Sequence, residues 1–161
     1  MTDIAMPEKK KLLIVAHAPS SNTQRMVDAV LKGARHEDID NVEVIYIPPL
    51  QVIVADVLAA DAIILGTTEN LGYMSGALKD FFDRVYYPVL EVKQGLPVAA
   101  YIRAGHDGTG TKRALETILT GLKWRWVQAP LLCRGEFDEV FIFQCEELGL
   151  TMAASLDAGV I

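Results

Sequence analysis

The chain has 161 residues, a formal net charge of −6 and an isoelectric point near 5.0, a balance that argues against nucleic acid or an anionic membrane surface as its main partner. Hydrophobic residues make up 51% and the mean hydropathy is +0.24, which excludes disordered and low-complexity readings and leaves one domain over residues 1–161 with a sizeable core. Residues 1–9 read as a charged tail, the apolar run after them is too short for a signal peptide or membrane span, and Cys133 and Cys145 form no CxxC, so a reduced, cytoplasmic setting without zinc or disulfides is expected.

Four short runs, Leu12–Ala16, Val42–Ile47, Ala62–Leu65 and Val98–Ile102, are β-branched and mostly apolar without alternation, as in strands buried on both faces. A fifth candidate, Trp126–Cys133, contains Pro130 and is expected at an edge. Helical periodicity falls between them, over Thr23–Ala34, Val52–Ala60, Gly76–Leu90 and Thr111–Leu122, and Asp138–Leu156 closes the chain. Strands alternating with helices predict βαβ units and a parallel sheet covered on both faces.

In such a sheet ligands bind beyond the carboxyl ends of the strands. Three loops lie there: 16–23, 67–75 and 103–110. The first contains Ser20, Ser21, Asn22 and Thr23 at a predicted helix start, where free N–H groups and the helix dipole favour an anion. One hydroxyl would serve as a plain N-cap, and four small polar residues in a row predict a phosphate loop. Arg25 is the only basic residue close by. A GxGxxG pattern is absent after the first strand, and Gly105–Lys112 (GHDGTGTK) has Lys and Thr in the wrong order for a P-loop.

The segment Gly66–Arg84 (GTTENLGYMSGALKDFFDR), which contains the second loop, resembles the flavodoxin-like family of FMN reductases and quinone oxidoreductases. The resemblance extends to HAPSSNT as phosphate loop, to Ala104–Gly110 as third flavin loop and to a closing helix, and so covers nearly the whole chain. It implies an α/β flavodoxin-like three-layer sandwich, with a five-stranded parallel sheet of order 2-1-3-4-5 and FMN across the strand ends. The phosphate would sit on Ser20, Ser21, Asn22 and Thr23, next to His17. Thr67, Thr68, Glu69, Asn70, Leu71, Gly72 and Tyr73 would run along the isoalloxazine edge. Ala104, Gly105, His106, Asp107, Gly108 and Gly110 would reach the pyrimidine side, with glycines at 108 and 110 allowing close backbone approach. Departures from family usage stand at His17, Thr68 and Leu71; at Leu71 an aromatic stacking partner is lost, and Tyr73 is the substitute.

The function implied is an FMN-dependent oxidoreductase passing electrons from NAD(P)H to a quinone or similar small acceptor, with the flavin carrying the chemistry. No catalytic side chain is required, and His106 is the candidate proton shuttle. Lys112 and Arg113 at a helix start would draw the phosphates of the dinucleotide. A flavodoxin-type electron carrier and a flavin-free interaction module are the alternatives. No metal, nucleic acid or membrane insertion is expected, and the resemblance implies a homodimer or homotetramer.

Overall fold

A computed structural model of the chain describes residues 8–161, so most of the tail expected over 1–9 lies outside the described residues. The elements run β1 (Lys10–Ala16), α1 (Ser21–Ala34), β2 (Val42–Ile47), α2 (Val54–Leu58), β3 (Ala62–Asn70), β4 (Tyr73–Met74), α3 (Gly76–Val89), β5 (Pro97–Ala104), α4 (Thr109–Leu122), β6 (Arg125–Trp126), β7 (Leu131–Arg134) and α5 (Val140–Asp157). Strands β2, β1, β3 and β5 lie side by side in that order and all run parallel. The fold is the expected flavodoxin-like α/β arrangement.

The fifth parallel strand is split. Both β6 and β7 pair with β5, and the gap between them holds Pro130, which has no N–H for a ladder. The short β4 turns back antiparallel on the end of β3, so seven strands stand where five were expected.

Period-two alternation sends side chains to two cores. Leu12, Ile14 and Ala16 of β1 join Ala62, Ile64 and Tyr101 under α1 and α5. Leu13 and Val15 join Ile63, Leu65, Ala100 and Ile102 under α2, α3 and α4. Most of these side chains are fully buried, and each of the Leu, Ile and Val side chains contributes about 1.5–3 kcal/mol. This explains the strands' unalternating apolar sequences: both faces are interior.

Element ends differ from the sequence expectation where local chemistry intervenes. The helix expected over Val52–Ala60 shrinks to α2 because the β-branched pair Val52 and Ile53 stays extended (ψ 134° and 164°) after a 3-10 turn at Pro49–Gln51. The start of α5 shifts to Val140, whose N–H is taken by the Asp138 carboxylate at 2.9 Å. No helix among the described residues is long and apolar enough to cross a membrane.

Candidate functional site

The carboxyl ends of β1, β3 and β5 are neighbours, so the loops leaving them meet at one edge of the sheet. His17 N–H donates to Gly66 O at 3.0 Å, tying the first loop to the second. Burial holds the imidazole of His17 below its ordinary pKa, so it is neutral at pH 7.

In the first loop Ser20 is the N-cap of α1 and forms a reciprocal capping box with Thr23: Thr23 N–H donates to Ser20 Oγ at 3.2 Å, and Ser20 N–H to Thr23 Oγ1 at 2.9 Å. Two of the four polar residues therefore serve the helix itself, and α1 begins at Ser21, ahead of the expected Thr23. Ser21 and Asn22 are exposed, and the first-turn N–H groups of a helix have no intrahelical acceptor. Arg25 is shared between the loop and α5. It pairs with Glu139, lies over the Phe137 ring at 5.5 Å and donates to Asn22 Oδ1 at 3.4 Å. An anion at this helix start meets mainly neutral donors.

The second loop is a hairpin. β3 runs on to Asn70, Glu69 pairs with Met74 and Asn70 with Tyr73, and the tip residues Leu71 and Gly72 both have positive φ, 54° and 75°. Positive φ at both central residues is the signature of a type I′ turn. Leu71 is fully exposed at this tip, and Tyr73 is 39% exposed. Thr67 Oγ1 accepts from Ser75 N–H at 3.0 Å and donates to Thr68 O at 2.8 Å, bracing the base of the hairpin. Thr68 Oγ1 donates to Asn70 Oδ1 at 3.1 Å. Ser75 then caps α3, accepting from Leu78 N–H at 3.2 Å. Later in the same motif Arg84 bonds Asp80 at 2.7 Å and the carbonyls of Pro49 and Val52, so it anchors α3 to the loop after β2.

In the third loop Ala104 is buried, while Gly105, His106 and Asp107 are exposed. Asp107 Oδ1 accepts from Thr109 N–H at 3.1 Å and Thr109 Oγ1 at 3.0 Å, and these bonds hold its carboxyl below the usual range. Gly108 is the N-cap of α4 with φ 73°, a conformation glycine adopts without steric cost. A Cβ on Gly110 would lie 2.2 Å from the carbonyl oxygen of Gly72, so this glycine is needed where the hairpin packs on α4. The glycines at 108 and 110 thus have requirements within the chain itself.

The start of α4 already carries an acidic partner from the hairpin. Glu69 Oε2 accepts from Thr111 N–H at 3.2 Å and Thr111 Oγ1 at 2.8 Å, so the anion at this helix end is the chain's own carboxylate. Lys112 is half-buried and Arg113 is exposed. Sequence reasoning missed Thr111 and also Arg103. The guanidinium of Arg103 lies 5.7 Å from the Phe137 centroid and 5.3 Å from that of Phe141, and it donates to Cys133 O at 3.1 Å. Neither residue carries a local signal, because the partners are some 30 or more positions away in the chain. Cys133 and Cys145 are both buried, and no metal-binding cluster of His, Cys, Asp and Glu occurs among the described residues. A groove of about 260 Å³ lies between α3 and α4, lined by Phe82, Tyr86, Tyr87 and Ile118 among others, and shares no residue with the three loops.

Comparison with known proteins agrees with this fold. The sequence profile described as "NADPH-dependent FMN reductase" matches residues 10–137. A flavodoxin of Aquifex aeolicus (strain VF5) is 30% identical over 112 residues, covering 70% of this chain and 60% of that protein, so the chain spans about 60% of that relative's length. Among solved structures, Megasphaera elsdenii flavodoxin superposes with a TM-score of 0.73 at 19% identity, covering 89% of this chain and 98% of that one. Flavodoxin 2 of Bacillus cereus gives 0.69 at 23% identity, covering 90% and 99%. At such identities the likeness shows the fold.

Proposed function

The chain belongs to the family of NADPH-dependent FMN reductases, and from that premise we infer that it binds FMN across its three strand-end loops and passes electrons from NAD(P)H to a quinone or similar small acceptor. The observation that carries this reading is the start of α1: exposed Ser21 and Asn22 with first-turn donors, at the sheet edge where the other two loops converge.

The residues present fit FMN. First-turn N–H groups and the Ser21 hydroxyl would hold the phosphate, with Arg25 paired to Glu139. The hairpin backbone from Thr68 to Gly72 and the loop from Gly105 to Gly108 would border the ring. FMN supplies the hydride and electron transfer chemistry when bound. The chain's own residues bind and orient: the αL turn at Leu71 and Gly72 sets the hairpin backbone. His106, exposed in the third loop, is the candidate proton shuttle of this reading.

Titration with FMN and with riboflavin tests the cofactor assignment. FMN is expected to bind much more tightly, and Ser21→Ala to weaken FMN alone, a lost charged hydrogen bond being worth about 1.5–3 kcal/mol. Equal affinities for the two flavins overturn it. The flavodoxin name of the Aquifex relative favours a second reading, an electron carrier. Steady-state oxidation of NADPH or NADH with a benzoquinone separates the two. The enzyme is expected in the ordinary range of roughly 1–1000 per second, and turnover far below it selects the carrier.

A further inference from the structure

The hairpin tip is held in a conformation its sequence disfavours. Leu71 sits at φ 54° with its side chain wholly in solvent, so no packing of its own offsets the left-handed backbone. Such strain persists only where the surroundings over-determine it. Two ladder pairs, Glu69 with Met74 and Asn70 with Tyr73, are all the sheet gives the tip. The remaining restraint comes from α4. The Glu69 carboxylate takes both the N–H and the hydroxyl of Thr111, which is fully buried, and the Gly72 carbonyl rests against Gly110. The Glu69–Thr111 contact joins the hairpin to the start of α4 across 42 positions of sequence.

We propose that Glu69 and Thr111 form a latch that sets the hairpin against the start of α4, making them positioning residues for the flavin ring. The inference rests on the FMN reading above. Its physical content is preorganisation: with the latch closed, the backbone from Thr68 to Gly72 and the loop from Gly105 to Gly108 form one rigid border, and binding need not order either segment. The latch also places a carboxylate against the first turn of α4, where the helix dipole favours a negative charge.

The variants Glu69→Ala and Thr111→Val remove the carboxylate and the hydroxyl, and Glu69→Gln keeps an acceptor oxygen without its charge. Two readouts are used. In the flavin-free protein, amide exchange at Asn70–Tyr73 is expected to accelerate in Glu69→Ala and Thr111→Val, while exchange in β1 and α1 stays at the wild-type rate. With flavin, FMN and riboflavin are expected to weaken by the same factor, roughly tenfold or more, because the ring border and not the phosphate contact is disturbed. The visible circular dichroism of the bound flavin is expected to change, and Glu69→Gln to recover part of the affinity. Wild-type hairpin exchange and riboflavin affinity in both Glu69→Ala and Thr111→Val overturn the latch, as does a uniform rise in exchange across the sheet. Wild-type protein that binds neither flavin overturns the FMN reading and with it the positioning role.

Discussion

His17 presents a neutral, half-buried imidazole at the entrance to a loop read as a phosphate site. Its folded pKa lies below the unfolded value of about 6.5, so the unfolded chain takes up its proton first as pH falls. The stability tied to this group is therefore complete above about pH 6.5 and declines as pH drops from there toward the folded pKa. A phosphate dianion beside the ring favours the charged form. The pKa of His17, tracked by NMR with His17→Gln to assign the signal, is expected to rise when FMN binds. No change on saturation would separate His17 from the phosphate. Gly108 makes a second case at this scale. At φ 73° a side chain there is strained, and a Cβ would lie 3.2 Å from Leu132 Cδ2. Gly108→Val is expected to destabilise the protein by about 1–2 kcal/mol or more, read as a lowered denaturant midpoint at unchanged slope. An unaltered midpoint would show that the loop relaxes freely.

Helices α1 and α5 meet at their glycines. A Cβ on Gly33 would fall 1.9 Å from Glu146 O, and one on Gly149 would fall 2.0 Å from Val30 O. Both obstacles are backbone atoms that cannot rotate aside, so a methyl group must push the helices apart. Gly149→Ala is expected to destabilise by about 1–3 kcal/mol despite alanine's better helix propensity. That corresponds to a fall in Tm of several degrees, at about 2–4 °C per kcal/mol for a chain of this size. A raised Tm would mean that the helix pair has slack. The same scale shows why element ends are hard to read from sequence. The capping box at Ser20 and Thr23 is visible only as a choice among four adjacent polar residues. In the same way, the long β3 is hidden because Thr67–Asn70 lacks the apolar signature of the strand it continues.

The molecule as a whole is a two-sided sheet whose candidate ligand edge is built from loops. A cofactor that binds the folded chain alone stabilises it by mass action, by about 2.7 kcal/mol when free ligand is 100 times Kd. Thermal unfolding with increasing FMN is expected to show a Tm that climbs logarithmically past saturation, and riboflavin at equal concentration to shift it less. An FMN-independent Tm would contradict binding at the strand ends.

What the amino-acid sequence determined by itself was the architecture. Doubly buried strands must be apolar throughout, amphipathic helices must repeat near 3.6, and Leu12–Ala16, Ala62–Leu65 and Thr23–Ala34 state this locally. The Gly66–Arg84 motif was legible through its resemblance to the flavodoxin-like family, and its cap at Ser75 and its i, i+4 pairs of Lys79 with Asp83 and Asp80 with Arg84 form at short range. Tertiary structure alone decided which polar groups remain available. Arg25 stands beside the expected phosphate loop in sequence, and in space it also pairs with Glu139 and lies over Phe137. The N–H and hydroxyl of Thr111, beside Lys112 and Arg113, are taken by Glu69 from 42 positions away. A charge or hydroxyl is free only if no distant partner reaches it, and packing sets those distances.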